Sequence, residues 1–202
     1  MSDAIKIGMN FAGLERFHNM LAAAGKKAPQ ALRRAINHTG DKARTAMVRE
    51  LAVQTGLKVG VMKRALKVSR ASDGGPSGFV AGAGSLEYVI KSKGGNVGLK
   101  YFKPVERGGG VLASPWGQKK FFPGAFKKSG PPGHRRINPK FHGRVLRNAE
   151  GGNWGGKLVE AKSGLFIAEE MVSGATAATF YQIVERDLPA RVEHELLRIL
   201  NA

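Results

Sequence analysis

The residues best placed to do chemistry lie in a basic segment that runs from Lys100 to Asn148. The segment holds twelve lysines and arginines and a single acid, Glu106. Paired bases on an extended arm can follow a phosphate backbone without reading its bases, and the same charges would suit an acidic protein surface. Either partner would be contacted by Lys119, Lys120, Lys127, Lys128, Arg135, Arg136 and Lys140.

Residue types that serve catalysis do not converge in this sequence. His134 and His142 are the only histidines close together, and their surroundings are cationic, which disfavours a bound metal ion. Metal-dependent nucleases need clustered carboxylates, and neighbouring acids cannot share a helix face. We expect a solvated helix surface to explain the C-terminal glutamates Glu169, Glu170, Glu193 and Glu195. There is no cysteine and no serine in a nucleophile-elbow pattern. We therefore expect no enzyme, no catalytic or metal site and no cofactor.

The net charge of +18 over 202 residues is unevenly spread. Residues 1–156 carry 28 basic and 8 acidic groups, whereas residues 157–202 carry 5 and 7. No apolar run approaches the roughly 20 residues that span a bilayer, and the N-terminus lacks the pattern of a secretory signal. We expect a protein made in a reducing cytoplasm, without a membrane partner.

Helical periodicity is clearest at the two ends of the chain. Apolar spacing predicts a helix from Gly13 to Ala24, a second from near Pro29 to Thr55, and a short third from Val59 to Leu66 that ends in a strand. A long amphipathic helix is predicted from about Thr176, with a kink or a break at Pro189.

The middle of the chain predicts short strands separated by glycine-rich turns. The predicted strands are Phe79–Ala83, Glu87–Lys93, Leu99–Val105, Val111–Ala113 and Lys157–Ala161. Residues 121–126 and 144–147 are predicted to pair as two arms around a mobile loop, residues 127–140. The prediction is therefore one α+β domain, residues 1–202. Long N-terminal and C-terminal helices pack on a small, mostly antiparallel sheet, with an extended basic insertion at about 115–156.

Several of these features occur in a specific order. A basic helix containing ALRRAINHTGDKART is followed by a glycine-rich β region, the motif FFPGAF, and a C-terminal helix after Gly-Leu-Phe-Ile. In this order the chain, from about residue 10, resembles the minor tail protein Z family of tailed phages of the lambda type, and the wider set of tail-completion proteins. The matching residues are Ala35-Ile36-Asn37 in the helix and Phe122-Pro123-Gly124-Ala125-Phe126 in the hairpin. The basic segment, roughly 117–156, is longer than in the family.

The resemblance implies a structural protein of the virion rather than an enzyme. It implies a homohexameric ring at the head-proximal end of the tail, acting in tail completion and head–tail joining, and assembled in the host cytoplasm. The implied partners are tail terminator, tail tube and head–tail connector proteins, and double-stranded DNA passing non-specifically through the channel. The charge of six copies would exceed several-fold what duplex DNA in such a channel could neutralise, so part of it should face acidic protein neighbours.

The alternative that the charge leaves open is a non-specific nucleic-acid-binding protein of the cytoplasm. It shares the basic segment but requires no ring. The two hypotheses differ in whether the isolated monomer binds free duplex DNA with a steep dependence on salt.

Overall fold

The structure, a computed structural model, describes residues 2–8, 17–72, 86–131, 133–149 and 156–201. Residues 13–16 of the predicted first helix and the predicted strand Phe79–Ala83 lie outside these ranges. Within them the chain is α+β, as predicted, with long helices packed against small antiparallel sheets.

The helices occupy the two ends of the chain. They are α1 (His18–Ala24), α2 (Ala28–Thr55), α3 (Val59–Ala65), α4 (Ile167–Met171) and α5 (Gly174–Leu200). The predicted start near Pro29 and end at Thr55 are confirmed, and Gly56 takes the left-handed φ of +73° that caps a helix. The short helix α4 was not predicted.

Helices α2 and α5 pack along each other in antiparallel directions. Near the end of α2, the Gln54 side chain accepts a hydrogen bond from Thr176 Oγ1 at 2.7 Å, at the start of α5. At the other end, Ala35 packs in one buried cluster with Val192 and Leu196. Helix α5 continues through Pro189, so of the two outcomes expected there, a kink or a break, the break is wrong. Leu188 and Val192 pack on either side of the proline and hold the helix there despite one lost backbone hydrogen bond.

The first sheet has the strand order β1-β3-β2 and is antiparallel throughout. Its strands are β1 (Ser2–Gly8), β2 (Leu66–Ser69) and β3 (Glu87–Lys93). Ile5 and Val68 both lie opposite Ile90, so one row of side chains crosses the sheet. The range of β3 is as predicted, whereas β1 was not predicted.

The close contact between α2 and this sheet requires a glycine, Gly40, in the helix. A Cβ atom at Gly40 would lie 2.5 Å from the ring of Tyr88, which is fully buried. The Tyr88 hydroxyl donates to Asp41 Oδ1 at 2.8 Å, and Asp41 also accepts two hydrogen bonds from Arg70 at 3.1 Å. Burial, followed by the hydrogen bond to Asp41, raises the pKa of Tyr88 above its usual value. Gly40 and Asp41 of α2 therefore join the helix to the sheet through Tyr88.

Two further sheets and one hairpin form the middle of the chain. Their strands are β4 (Val105–Arg107), β5 (Gly110–Ala113), β6 (Lys120–Pro123), β7 (Ala125–Phe126), β8 (Lys128–Ser129), β9 (Arg136–Ile137), β10 (Leu146–Asn148) and β11 (Leu158–Glu160). The second sheet has the order β4-β5-β6, the third has β11-β10-β7, and β8 pairs only with β9.

Most of the predicted strands in this region are found, with two differences. The predicted pairing of residues 121–126 with 144–147 holds for β7 and β10, but β6 pairs with β5 instead. The predicted strand Leu99–Val105 is wrong. Residues Leu99–Phe102 form a 3₁₀ turn, because Leu99 and Phe102, three positions apart, both point into the core.

A candidate anion-binding surface

The seven predicted contact residues lie on consecutive elements of one stretch of chain. Lys119 precedes β6 and Lys120 begins it, whereas Lys127 lies between β7 and β8. The basic hairpin, defined as residues 128–137, contains Lys128 in β8 and Arg135 and Arg136 at β9. Lys140 lies in the 3₁₀ turn Pro139–Phe141 that follows. The prediction of a mobile loop placed no structure here, whereas β8 and β9 pair through Lys128 with Ile137 and Ser129 with Arg136.

Glu106, the single acid of the segment, attaches the hairpin to the second sheet. Its Oε2 atom accepts hydrogen bonds from the backbone N–H groups of Lys127 at 2.8 Å and Lys128 at 2.9 Å. Its Oε1 atom lies 3.0 Å from Nη1 of Arg135. The Glu106 side chain is only 9% exposed, and a carboxylate so shielded is stable only when paired and hydrogen-bonded. Sequence reasoning noted this acid but gave it no role.

Two of the seven basic side chains are used inside the protein. Lys127 Nζ donates to the carbonyl oxygen of Pro104 at 2.9 Å. Arg135 pairs with Glu106 and also donates to the carbonyl oxygen of Lys128 at 3.0 Å. Both residues therefore position the hairpin. The Arg135 charge is balanced by Glu106, whereas the Lys127 ammonium group keeps its charge but is held at the Pro104 carbonyl.

The side chains of the other five basic residues make neither an ion pair nor a hydrogen bond with the described residues. Lys128 is half-buried, and the rest are exposed. Lys120 Nζ lies 5.8 Å from the centre of the Phe122 ring, a contact that leaves the charge accessible. These five residues are Lys119, Lys120, Lys128, Arg136 and Lys140. We call them the unpaired basic set.

The motif from Phe122 to Phe126 carries the chain from the second sheet to the third. Phe122 pairs with Val111 of β5, and after one residue in the left-handed region, Gly124 with φ +68°, Ala125 and Phe126 pair with β10. The Gly124 N–H donates to the carbonyl oxygen of Gly109 at 3.0 Å. A Cβ at Gly124 would meet no atom within 4 Å, so the backbone conformation, not space, favours glycine there.

Aromatic contacts of the segment anchor it rather than leave rings free for stacking. Phe126 and Phe141 meet edge to face, with ring centroids 6.1 Å apart. Phe122 packs against the main core, next to Ala125, which is 3% exposed. Phe122 and Phe126 therefore anchor the two ends of the passage between the sheets. Phe121 is the exception, with 47% of its surface exposed.

Two of the four C-terminal glutamates are not the solvated residues that we expected. Glu195 is 1% exposed and pairs with Arg191 at 2.6 Å, one helical turn earlier. Glu170 accepts hydrogen bonds from Trp116 Nε1 and Gln54 Nε2, both at 2.7 Å. Each of them fixes neighbouring side chains. Glu169 and Glu193 are exposed, as expected.

The described residues contain no group of three or more histidine, cysteine, aspartate or glutamate side chains that could hold a metal ion. His134 and His142 are both exposed. Among the helices of the described part of the chain, none is both long and apolar enough to cross a membrane. The site that the structure offers is the unpaired basic set, which lies at β6, on the basic hairpin and in the 3₁₀ turn that follows it.

Comparison with known proteins adds no relative: no family model, curated protein or solved structure matches this chain.

Proposed function

We propose that this protein is a structural component of a tailed-phage virion that completes the tail at its head-proximal end. The observation that carries the proposal is the unpaired basic set. It lies on and beside the basic hairpin, which a shielded glutamate, Glu106, attaches to the body of the fold. In the proposed virion the protein forms a ring, a homohexamer, between tail and head-side proteins. Its basic residues face the DNA path and acidic neighbouring rings.

The motifs that carry the family resemblance support the proposal because each has a definite place in the fold. Ala35 and Ile36 are fully buried in the helix α2. Asn37 ties the helix to the end of β2, since its side chain exchanges two hydrogen bonds with the Ala71 backbone, at 2.9 and 3.0 Å. The second motif forms the passage between two sheets.

The composition of the basic surface favours a sequence-independent contact. Lysine and arginine side chains can bind the phosphates of any sequence, and equally the carboxylates of a protein, and phosphate contacts carry no sequence information. Such a surface suits DNA that slides through a channel, and equally an acidic protein ring stacked on it.

Locating the protein in purified virions tests the proposal directly. An epitope tag on this chain, imaged in intact particles by labelled antibody and particle averaging, should mark one end of the tail next to the head. Host cells producing phage without this chain should yield tails that fail to join heads, and supplying the wild-type chain should restore joining. Absence from virions, or label spread along the tail, would contradict the proposal.

The unpaired basic set also favours a second candidate, a cytoplasmic nucleic-acid-binding protein. That function predicts that the isolated monomer binds duplex DNA with an affinity that falls steeply with salt. It also predicts that phage assembly proceeds normally without the chain. The virion proposal requires an assembly defect, so complementation separates the two functions.

A further inference from the structure

The outer face of the second sheet carries an exposed apolar row. Val105, Leu112 and Phe121 lie directly opposite one another in the register of β4, β5 and β6, so their side chains share one face of the sheet. Val105 and Phe121 are each 47% exposed, and Leu112 is half-buried. The other face is formed by Glu106, Val111 and Phe122, which pack inward.

Cations border this row on both sides. Arg107 follows Val105 by two positions and Lys119 precedes Phe121 by two, so both belong to the same side of the sheet. Both are exposed and have no ion-pair partner among the described residues. An apolar centre with a charged rim is the usual anatomy of a protein-binding surface.

A groove with the opposite charge lies between the start of α1 and the helix α5. It has a volume of about 550 Å³, and its half-buried apolar side chains include Met20 and Pro189, above the buried Phe17. Glu185 and Glu193 also line it; both are exposed and neither has an ion-pair partner in the described part of the chain. Arg186 lines it too, but its guanidinium is held by Asp187 at 2.7 Å. The free charges of the groove are therefore negative, in a chain whose net charge is +18.

We infer that the outer face of the second sheet of one copy docks into the α1–α5 groove of a second copy. The apolar row would cover Met20 and Pro189, while Arg107 and Lys119 would meet Glu185 and Glu193. The two carboxylates of the groove disfavour a nucleic-acid partner. Of the three residues in the row only Phe121 is aromatic, whereas single-stranded nucleic acid needs a series of rings for stacking. Charge complementarity therefore favours a second copy as the occupant.

Because the two surfaces differ, the contact is head-to-tail. After two copies pair, the dimer keeps one free sheet face and one free groove, so addition continues until a ring closes or a filament forms. The inference rests on the proposed function in that it supplies the contact by which the proposed ring would assemble. It can nevertheless be tested on the isolated protein.

Two variants separate the two halves of the contact. The groove variant, Glu185→Lys with Glu193→Lys, keeps the sheet face; the face variant, Arg107→Glu with Phe121→Ala, keeps the groove. Each alone should weaken self-association by about tenfold or more in sedimentation velocity. Mixed in equal amounts, they should form a heterodimer and stop there, since the dimer presents only a disabled groove and a disabled face.

A matched control is Glu169→Lys, which reverses another exposed carboxylate, outside the groove and without an ion-pair partner among the described residues. It should associate as the wild-type chain does, whereas Glu193→Lys should associate more weakly. Thermal unfolding of every variant reports whether the fold is intact, and single substitutions at Glu185 and Arg107 replace any double variant that fails to fold. A wild-type chain that stays monomeric up to its solubility limit would overturn the inference, as would association that neither variant weakens. Assembly of the mixture beyond the dimer would also overturn it, as would binding of single-stranded DNA that Phe121→Ala abolishes and the groove variant leaves intact.

Failure of the inference and failure of the proposed function give different results. A protein found at the head-proximal end of virions but unaffected by both variants keeps its proposed function and lacks this contact. A protein absent from virions that self-associates as described keeps the contact and lacks the function.

Discussion

Glu106 Oε1 lies 3.0 Å from Nη1 of Arg135, and this pair joins the second sheet to the basic hairpin. The other oxygen of the same carboxylate accepts two backbone N–H groups, those of Lys127 and Lys128. A single acid in a strongly basic segment therefore orders the chain around it. Its place in the fold depends on charge, because a neutral side chain could not balance the guanidinium of Arg135.

Glu106→Gln should loosen the hairpin although it makes the protein more basic. Hydrogen bonds to a charged group contribute about 1.5–3 kcal/mol, so amide exchange at Lys127 and Lys128 should accelerate about tenfold or more. Hydrogen-exchange mass spectrometry of peptides covering 125–137 measures this. Glu87→Gln is the matched control, since Glu87 is 46% exposed and its Oε2 atom lies 3.8 Å from Nζ of Lys6. In this variant the exchange of the peptides covering 125–137 should not change. Equal protection in both variants would show that Glu106 does not order the hairpin.

The helices were predictable because their signals are local. Pro29 in the first turn, Gly56 after the last, and a run of apolar residues at helical spacing define α2 without any tertiary contact. The strand β1 offered a weaker signal of the same kind, since Ile5 and Ile7 alternate with Lys6. Two alternations at the start of a chain are too few to distinguish a strand from irregular structure.

The basic residues of the site could be predicted from the sequence, but their arrangement in space could not. The seven bases could be counted, but which of them are used internally depends on contacts distant in sequence, such as Lys127 with Pro104. Glu195 was misjudged because it was compared with Glu193, its neighbour in sequence. The informative residue was Arg191, one turn earlier, where an opposite charge indicates an ion pair along the helix.

If the unpaired basic set contacts phosphates, the salt dependence of DNA binding should report each contact. Lys140→Ala and Arg136→Ala should each reduce the slope of log K against log salt by about 0.9 for duplex DNA. Fluorescence anisotropy titrations at several salt concentrations measure the slope. Lys127→Ala should reduce the slope by clearly less, because its ammonium group is held at the Pro104 carbonyl and a phosphate contact would have to displace it. A similar loss of slope at Lys127, or none at any position, would argue against phosphate contacts by this set.

Gly40→Ala should destabilise the protein, against the normal preference of helices for alanine. The new Cβ would lie 2.5 Å from the Tyr88 ring, and overpacking of this kind costs about 1–3 kcal/mol. Gly60→Ala in α3 is the matched control, because a Cβ there meets nothing within 4 Å and should stabilise the protein by about 0.5–1 kcal/mol. Chemical denaturation of the two variants should move the free energy of unfolding in opposite directions. A stabilising Gly40→Ala would contradict the close contact between α2 and the first sheet.

Asp187 links α5 to α2, and its contribution should disappear in acid. Hydrogen bonds from Arg186 and then Lys42, whose Nζ lies 2.6 Å away, lower the pKa of Asp187 to about 2 from 3.8. A carboxylate with a lowered pKa stabilises the fold above its unfolded pKa and loses that contribution as the pH falls towards its folded pKa.

Asp187→Asn should therefore cost about 0.5–1 kcal/mol of unfolding free energy at neutral pH, because both cationic partners are largely exposed. Between pH 4 and pH 2 the difference from the wild-type chain should shrink towards zero. Glu169→Gln removes an exposed carboxylate without an ion-pair partner among the described residues and should show no such pH dependence. A cost at Asp187 that stays constant down to pH 2 would mean that the amide loses something other than the charge, and the ion pair would not be what joins the two helices.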